Sequence, residues 1–357
     1  MRWIGLGAAA IVCASLVGCS RDTKPTETIA TMEDLPPDVR TAVLASPDLK
    51  LGFAVYSRNC VGCHGINGDG KGPAADRLVI RPRDFTSEVT VNANTGLVSV
   101  ERGDFKFRST PNGQLPLDED LHRTIRQGLK GSSMPSFEFM PERERSAVIK
   151  FIKMYSPRWT LATEVRERVP LPASEPPDLL SEERVWRGRF AYVAMGCNMC
   201  HGMTGRGDGP SSYTLLDDWE QPVRAYNYHR GAPKGGATPL DIYRTFRTGV
   251  TPMPSYQSDT LGLVTRDLKA VVFNRLHEAE QELIEPFVDS LPSLEEVNQW
   301  KEQSPERYEA HSDDRAWDLV AYTLWLREQS KPVGERGAAI WPARDKQENP
   351  AEESGGY

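Results

Sequence analysis

Two pentapeptides hold the reactive groups of this sequence. Cys60-Val61-Gly62-Cys63-His64 recurs as Cys197-Asn198-Met199-Cys200-His201. In each, two thiols stand three positions apart and an imidazole follows the second directly. Thiols so spaced suit addition to the two vinyl groups of a porphyrin, with the adjoining histidine reaching the iron. The two motifs use every cysteine after residue 19. A redox dithiol has no need of the histidine, and a structural zinc site wants ligand pairs that converge in one domain. The expectation is two covalently bound haems c, at Cys60 and Cys63 and at Cys197 and Cys200, with His64 and His201 as iron ligands.

A chain of 357 residues is long enough for about two domains to position these groups. The net charge of −7 and the lack of a basic stripe argue against nucleic acid as a partner. No run after residue 19 approaches the apolar length needed to span a bilayer. Residues 1–18 read as a signal peptide, with Arg2 ahead of a short apolar core. Leu16-Val17-Gly18-Cys19 resembles a bacterial lipobox, which implies cleavage before Cys19 and acylation there. An ordinary signal peptide or an uncleaved anchor would still send the body of the protein across the membrane. Several acyl chains would make the membrane attachment firm. Ser20 stands where an aspartate would imply retention at the inner membrane, so the outer membrane is favoured, with the domains on the periplasmic side. Residues 19–45, with Pro25, Pro36 and Pro37, read as a flexible tether.

The surroundings of the pentapeptides repeat as well. Gly52-x-x-x-Tyr56 precedes the first and Gly188-x-x-x-Tyr192 the second, offset by one inserted residue. Both predict a helix that leads into the motif and leaves room at its glycine for another helix. Downstream, His64-Gly65-x-x-Gly68-x-Gly70-x-Gly72-Pro73 aligns without gaps on His201-Gly202-x-x-Gly205-x-Gly207-x-Gly209-Pro210. Such glycine density marks a loop with positive φ or a close approach to a flat group. No Gly-Lys-Ser/Thr supports a phosphate cradle instead. Short helices ending in glycine follow, Asp120 to Gly128 and Asp241 to Gly249, then Met134-Pro135 and Met253-Pro254, then an apolar closing helix in each half.

Leading helix, Cys-x-x-Cys-His, Gly-rich loop, Met-Pro loop and closing helix, in that order, resemble a class I cytochrome c domain. Two in succession resemble the di-haem cytochromes c of bacterial respiratory chains. The resemblance implies a mainly α fold with two tandem domains, over residues 46–157 and 181–330, joined by a Pro-rich linker at 158–180. It implies that carbonyls at Pro73 and Pro210 accept a hydrogen bond from the proximal imidazoles. Met134 and Met253 are the expected sixth ligands, because a methionine before proline in an extended loop can point at a metal. Met154, on the closing helix, is expected in the core. Arg81, Arg83, Lys106 and Arg108 could grip a haem propionate or form a solvated basic face, with Arg230 and Lys234 as weaker counterparts. His122 aligns with Tyr243, and His229, His277 and His311 have no counterparts, so none is expected as a shared ligand.

The second half also carries an insertion at about 257–314, rich in acids, which reads as a solvated lid or a docking face for a basic redox partner. The tail over 331–357 reads as disordered. The expected activity is electron transfer between a redox donor and acceptor without a substrate site. The alternative is a di-haem cytochrome c peroxidase-like enzyme with one displaceable axial ligand.

Overall fold

The computed structural model describes residues 30–86, 88–91, 98–101, 107–161, 165–217, 220–230 and 233–329. The signal segment, Cys19, Lys106 and the tail lie outside the described residues. The described chain is mainly helical, with a two-stranded antiparallel hairpin, β1 (Glu88–Val91) against β2 (Val98–Glu101).

The first core gathers α1 (Pro37–Ala45), α2 (Pro47–Asn59), α3 (Val61–His64), α4 (Asp118–Gln127) and α5 (Glu142–Ile152). The tether expected as far as residue 45 is shorter than that. Leu35, Val39 and Val43 are buried in this core. Pro37 occupies the first position of α1, where a missing N–H is no loss. Ser46 caps α2 by accepting the Leu49 N–H at 3.3 Å, and Asp48 and Arg58 sit at the ends that suit their charges. The helix α2 crosses α5 at Gly52, where a Cβ would collide with the Ala147 carbonyl. Phe53, Tyr56, Phe151 and Tyr155 pack around the crossing with ring centroids 5.1–5.7 Å apart.

The second core repeats this with α6 (Glu182–Ala194), α7 (Cys197–His201) and α8 (Pro239–Thr248), then α9 (Ser258–Leu261), α10 (Lys269–Phe273), α11 (Glu278–Asp289), α12 (Leu294–Gln303) and α13 (Pro305–Glu328). Here α6 crosses α13 at Gly188, and a Cβ there would meet the Asp318 carbonyl. The one inserted residue is Gly196, whose φ of 73° turns the chain between α6 and α7. The linker binds to both cores. Val169 is buried and donates its N–H to the Ser109 carbonyl at 2.8 Å, while Leu171 and Leu179 pack on the second core.

The acidic insertion is in large part core rather than a solvated lid. Val272, Leu276, Ile284, Val288 and Leu291 are buried in the second cluster. Glu280 turns inward onto Arg189 of α6, with Oε1 2.5 Å from Nε and Oε2 3.3 Å from the guanidinium end. Counting acids misread this residue because its counter-charge lies 91 positions away.

Gly52→Ala and Gly188→Ala are expected to lower stability by roughly 1–3 kcal/mol through overpacking, whereas Gly62→Ala, which has open space, should leave it unchanged. Denaturant unfolding of the purified variants checks this. Glu280→Ala, which removes the counter-charge of a buried guanidinium, should cost roughly 3 kcal/mol in the same measurement.

Candidate functional site

Each pentapeptide is little more than one helical turn, and the glycine-rich loop folds back beneath it. Gly65, Gly68 and Gly70 have φ of 76, 71 and 72°, and Gly202, Gly205 and Gly207 have 77, 74 and 75°. A side chain is strained in that region, which accounts for the gap-free repetition. The Gly70 and Gly72 N–H groups donate to the His64 and Cys63 carbonyls at 2.9 and 3.1 Å. Gly207 and Gly209 do the same to His201 and Cys200 at 2.8 and 3.2 Å. The buried Tyr56 hydroxyl donates to the Gly65 carbonyl at 2.7 Å, and Tyr192 donates to Gly202 at the same distance. One residue further the halves part. The Ile66 carbonyl accepts from the Tyr155 hydroxyl at 2.7 Å, and its counterpart on Met203 accepts from the Arg189 guanidinium at 2.7 Å.

The imidazoles find other acceptors than the ones the resemblance implies. His64 Nδ1 lies 2.9 Å from the Arg83 carbonyl, and His201 Nδ1 lies 2.9 Å from the Tyr226 carbonyl, not against Pro73 or Pro210. The backbone at those prolines is engaged behind the pentapeptide instead. Gly72 and Gly209 press on its carbonyls, and the Ala74 N–H donates to Gly62. The segment that reaches the ring returns later, pinned by Phe85 N–H on the Gly68 carbonyl at 2.7 Å and Tyr228 N–H on Gly205 at 2.9 Å. Sequence reasoning missed Tyr226 and singled out Arg83 for its guanidinium rather than its carbonyl, although a shared pattern marks both. An Asp or Asn follows and folds a turn, then comes an aromatic ring: Phe85 stacks on His64 at 4.5 Å, and Tyr228 lies 5.0 Å from His201.

Burial holds both imidazoles below their ordinary pKa, which favours the neutral ring with one nitrogen available to a metal. Nδ1–H donation to a carbonyl assigns that role to Nε2. Burial also pushes the Cys60 and Cys197 thiols up to about 12, which disfavours the thiolates that a redox dithiol or zinc site requires. Among the described residues no three His, Cys, Asp or Glu side chains come together as an ion site.

A cleft in the first half is walled by Tyr56, Phe85, Leu121, Ile125 and Val148, with Cys60, His64, Arg83 and Met134 on its lining. This set fits a covalently held haem: Cys60, His64 and Met134 line a largely apolar space, with Arg83 beside them. The Met-Pro loop is fixed to α4, with Leu129 N–H on the Met134 carbonyl at 3.2 Å and Phe137 N–H on Ile125 at 3.1 Å. In the second half, Val250 N–H bonds the Met253 carbonyl at 3.0 Å and Tyr256 N–H bonds Phe246 at 2.8 Å. Met253 is partly buried against the second core.

The remaining candidates disperse. Arg81 is exposed. Arg108 is buried within its own turn, with Nε on the Pro111 carbonyl at 3.1 Å and its guanidinium on Asn112. Met154 is 36% exposed rather than core, because the chain leaves α5 for a short 3-10 turn there. His122 accepts from Arg145 at 3.1 Å, and His229 Nε2 lies 2.8 Å from the Thr204 carbonyl.

Residues 47–152 match the family model described as cytochrome C oxidase, cbb3-type, subunit III. The match supports a class I c-type cytochrome. It implies covalently bound haem c and electron transfer as the work of such a domain. A solved chain of the Kuenenia stuttgartiensis reducing HAO-like protein complex is similar at 28% identity and a TM-score of 0.53, over 78% of this chain and 96% of that one. No curated protein matches the chain.

Within the matched segment, Tyr56→Phe should cost roughly 1–3 kcal/mol, since the buried Gly65 carbonyl loses its donor. Thermal unfolding of the haem-loaded variant checks it.

Proposed function

We propose that the chain is a di-haem c-type cytochrome carrying electrons between redox proteins on the periplasmic side of a bacterial membrane. His64 and Met134 would ligate one iron, and His201 and Met253 the other. The supporting observation is the equality of the two settings. The histidine-to-carbonyl distances are 2.9 and 2.9 Å, the tyrosine-to-loop distances 2.7 and 2.7 Å, and the amides holding the methionine loops 3.2 and 3.0 Å. When bound, haem supplies a one-electron iron couple whose potential a thioether ligand raises relative to a second histidine.

The chain's own part is to fix and to exclude. Arg83 and Tyr226 hold the imidazole planes and make the free nitrogens more basic. Phe85 and Tyr228 cover the rings from one side, and the apolar walls keep water from the donors. A peroxidase needs one position that opens, and equal anchoring of both methionine loops favours the carrier. The solved neighbour is described as part of a protein complex, which supports a chain that works docked to a redox partner as a subunit of a larger oxidoreductase. Acylation at Cys19 would hold that assembly at the membrane, by our reading the outer one.

Denatured protein should retain two haems per chain, and Cys60→Ala with Cys63→Ala should leave one. Met134→Ala and Met253→Ala should each abolish the thioether-to-iron band and low-spin character at one haem and lower its midpoint potential. An unchanged spectrum in Met253→Ala together with rapid reaction with peroxide would establish the enzyme instead.

A further inference from the structure

The two methionine loops share their backbone bonds but are held differently beyond them. The first runs six positions, from Gly128 to Met134, and is fastened from within. The Ser132 hydroxyl donates to the Leu129 carbonyl at 2.7 Å and accepts the Met134 N–H at 3.2 Å. The second runs only four positions, from Gly249 to Met253, with Val250 and Met253 bonding each other's backbone at 3.0 and 2.7 Å. The hydroxyl it carries, on Thr251, leaves the turn and meets Asn112 Oδ1 of the first half at 3.0 Å.

The same Asn112 oxygen takes the Arg108 guanidinium. A guanidinium can only donate, so the atom between the two is fixed as the amide oxygen, and Thr251 is the donor. The turn that carries Asn112 is itself tied down. Arg108 is buried, and Ser109 donates its N–H and hydroxyl to the two Asp120 carboxylate oxygens at 2.7 and 2.6 Å. The Thr110 hydroxyl donates to the Leu115 carbonyl at 2.9 Å. We propose that Thr251 and Asn112 are positioning residues for the second haem: the first half holds the turn from which Met253 ligates the iron. The shorter loop lacks the inner clasp that Ser132 gives the first, and the neighbouring half supplies the point of attachment. The proposal rests on the reading of Met253 as a ligand.

The test uses full-length, haem-loaded protein and imidazole, which binds a six-coordinate ferric haem only by displacing the methionine. Met253→Ala first marks the second haem, as the one whose spectrum changes. Swinging the methionine away breaks the Thr251 hydrogen bond, so Thr251→Val should raise imidazole affinity at that haem roughly fivefold. Asn112→Ala, on the other side of a 139-residue separation, should do the same. The two changes together should do no more than either alone, and Thr251→Ser should restore the original affinity. The first haem should respond as before in Thr251→Val. The proposal is overturned if affinity at the second haem stays put in either single variant, if the two effects multiply, or if the first haem responds equally to Thr251→Val. If Met253→Ala leaves every haem spectrum unchanged, the ligand reading itself fails and the proposal with it.

Discussion

One hydrogen bond governs both pentapeptides: the donation from imidazole Nδ1 to a main-chain carbonyl, His64 to Arg83 and His201 to Tyr226. A carbonyl cannot swing independently of its chain, so the plane of the ring is set by whatever fixes that backbone. Here it is fixed by Phe85 N–H on Gly68 and Tyr228 N–H on Gly205. The glycine loop is in turn fixed to the pentapeptide by Gly70 and Gly207. The contacts close a circuit that begins and ends at the histidine, and each bond gains from the others' being made.

Which parts of this circuit could be read from the sequence follows from its chemistry. Positive φ admits few residues but glycine, so the loop is visible in Gly65, Gly68, Gly70 and their counterparts. Helix crossings at Gly52 and Gly188 are visible for the same reason. A carbonyl acceptor leaves no such mark, because every residue has one. Arg83 and Tyr226 also lie 19 and 25 positions after their histidines, so a gap-free comparison passes over them. Pro36 and Pro37 suggested a tether because proline is as common in linkers as at a helix start, and only the burial of Val39 and Val43 distinguishes the two. The insertion misled in a similar way. Its acids were counted as a group, whereas Glu280 faces a buried arginine and Glu285 pairs with Lys269 at the surface.

The halves are alike at the histidine and unlike one layer further out. Tyr155 backs the first loop, with Phe151 and Phe53 packed behind it, while the second is backed by Arg189, Glu280 and Tyr322. A buried ion pair adds little net stability but enforces one arrangement, since either charge alone would be costly to bury. The insertion therefore belongs to the second site's framework. The inner face of α11 supports the loop, and its outer face is left to water.

The latch on each loop comes late in the chain. Tyr155 follows Ile66 by 89 residues, and Glu280 follows Arg189 by 91. A polypeptide delivered amino terminus first therefore presents each pair of thiols as an open segment, and shuts it only when the distant clasp arrives. Chain order alone thus separates the emergence of the thiols from the fastening of the loop beside them.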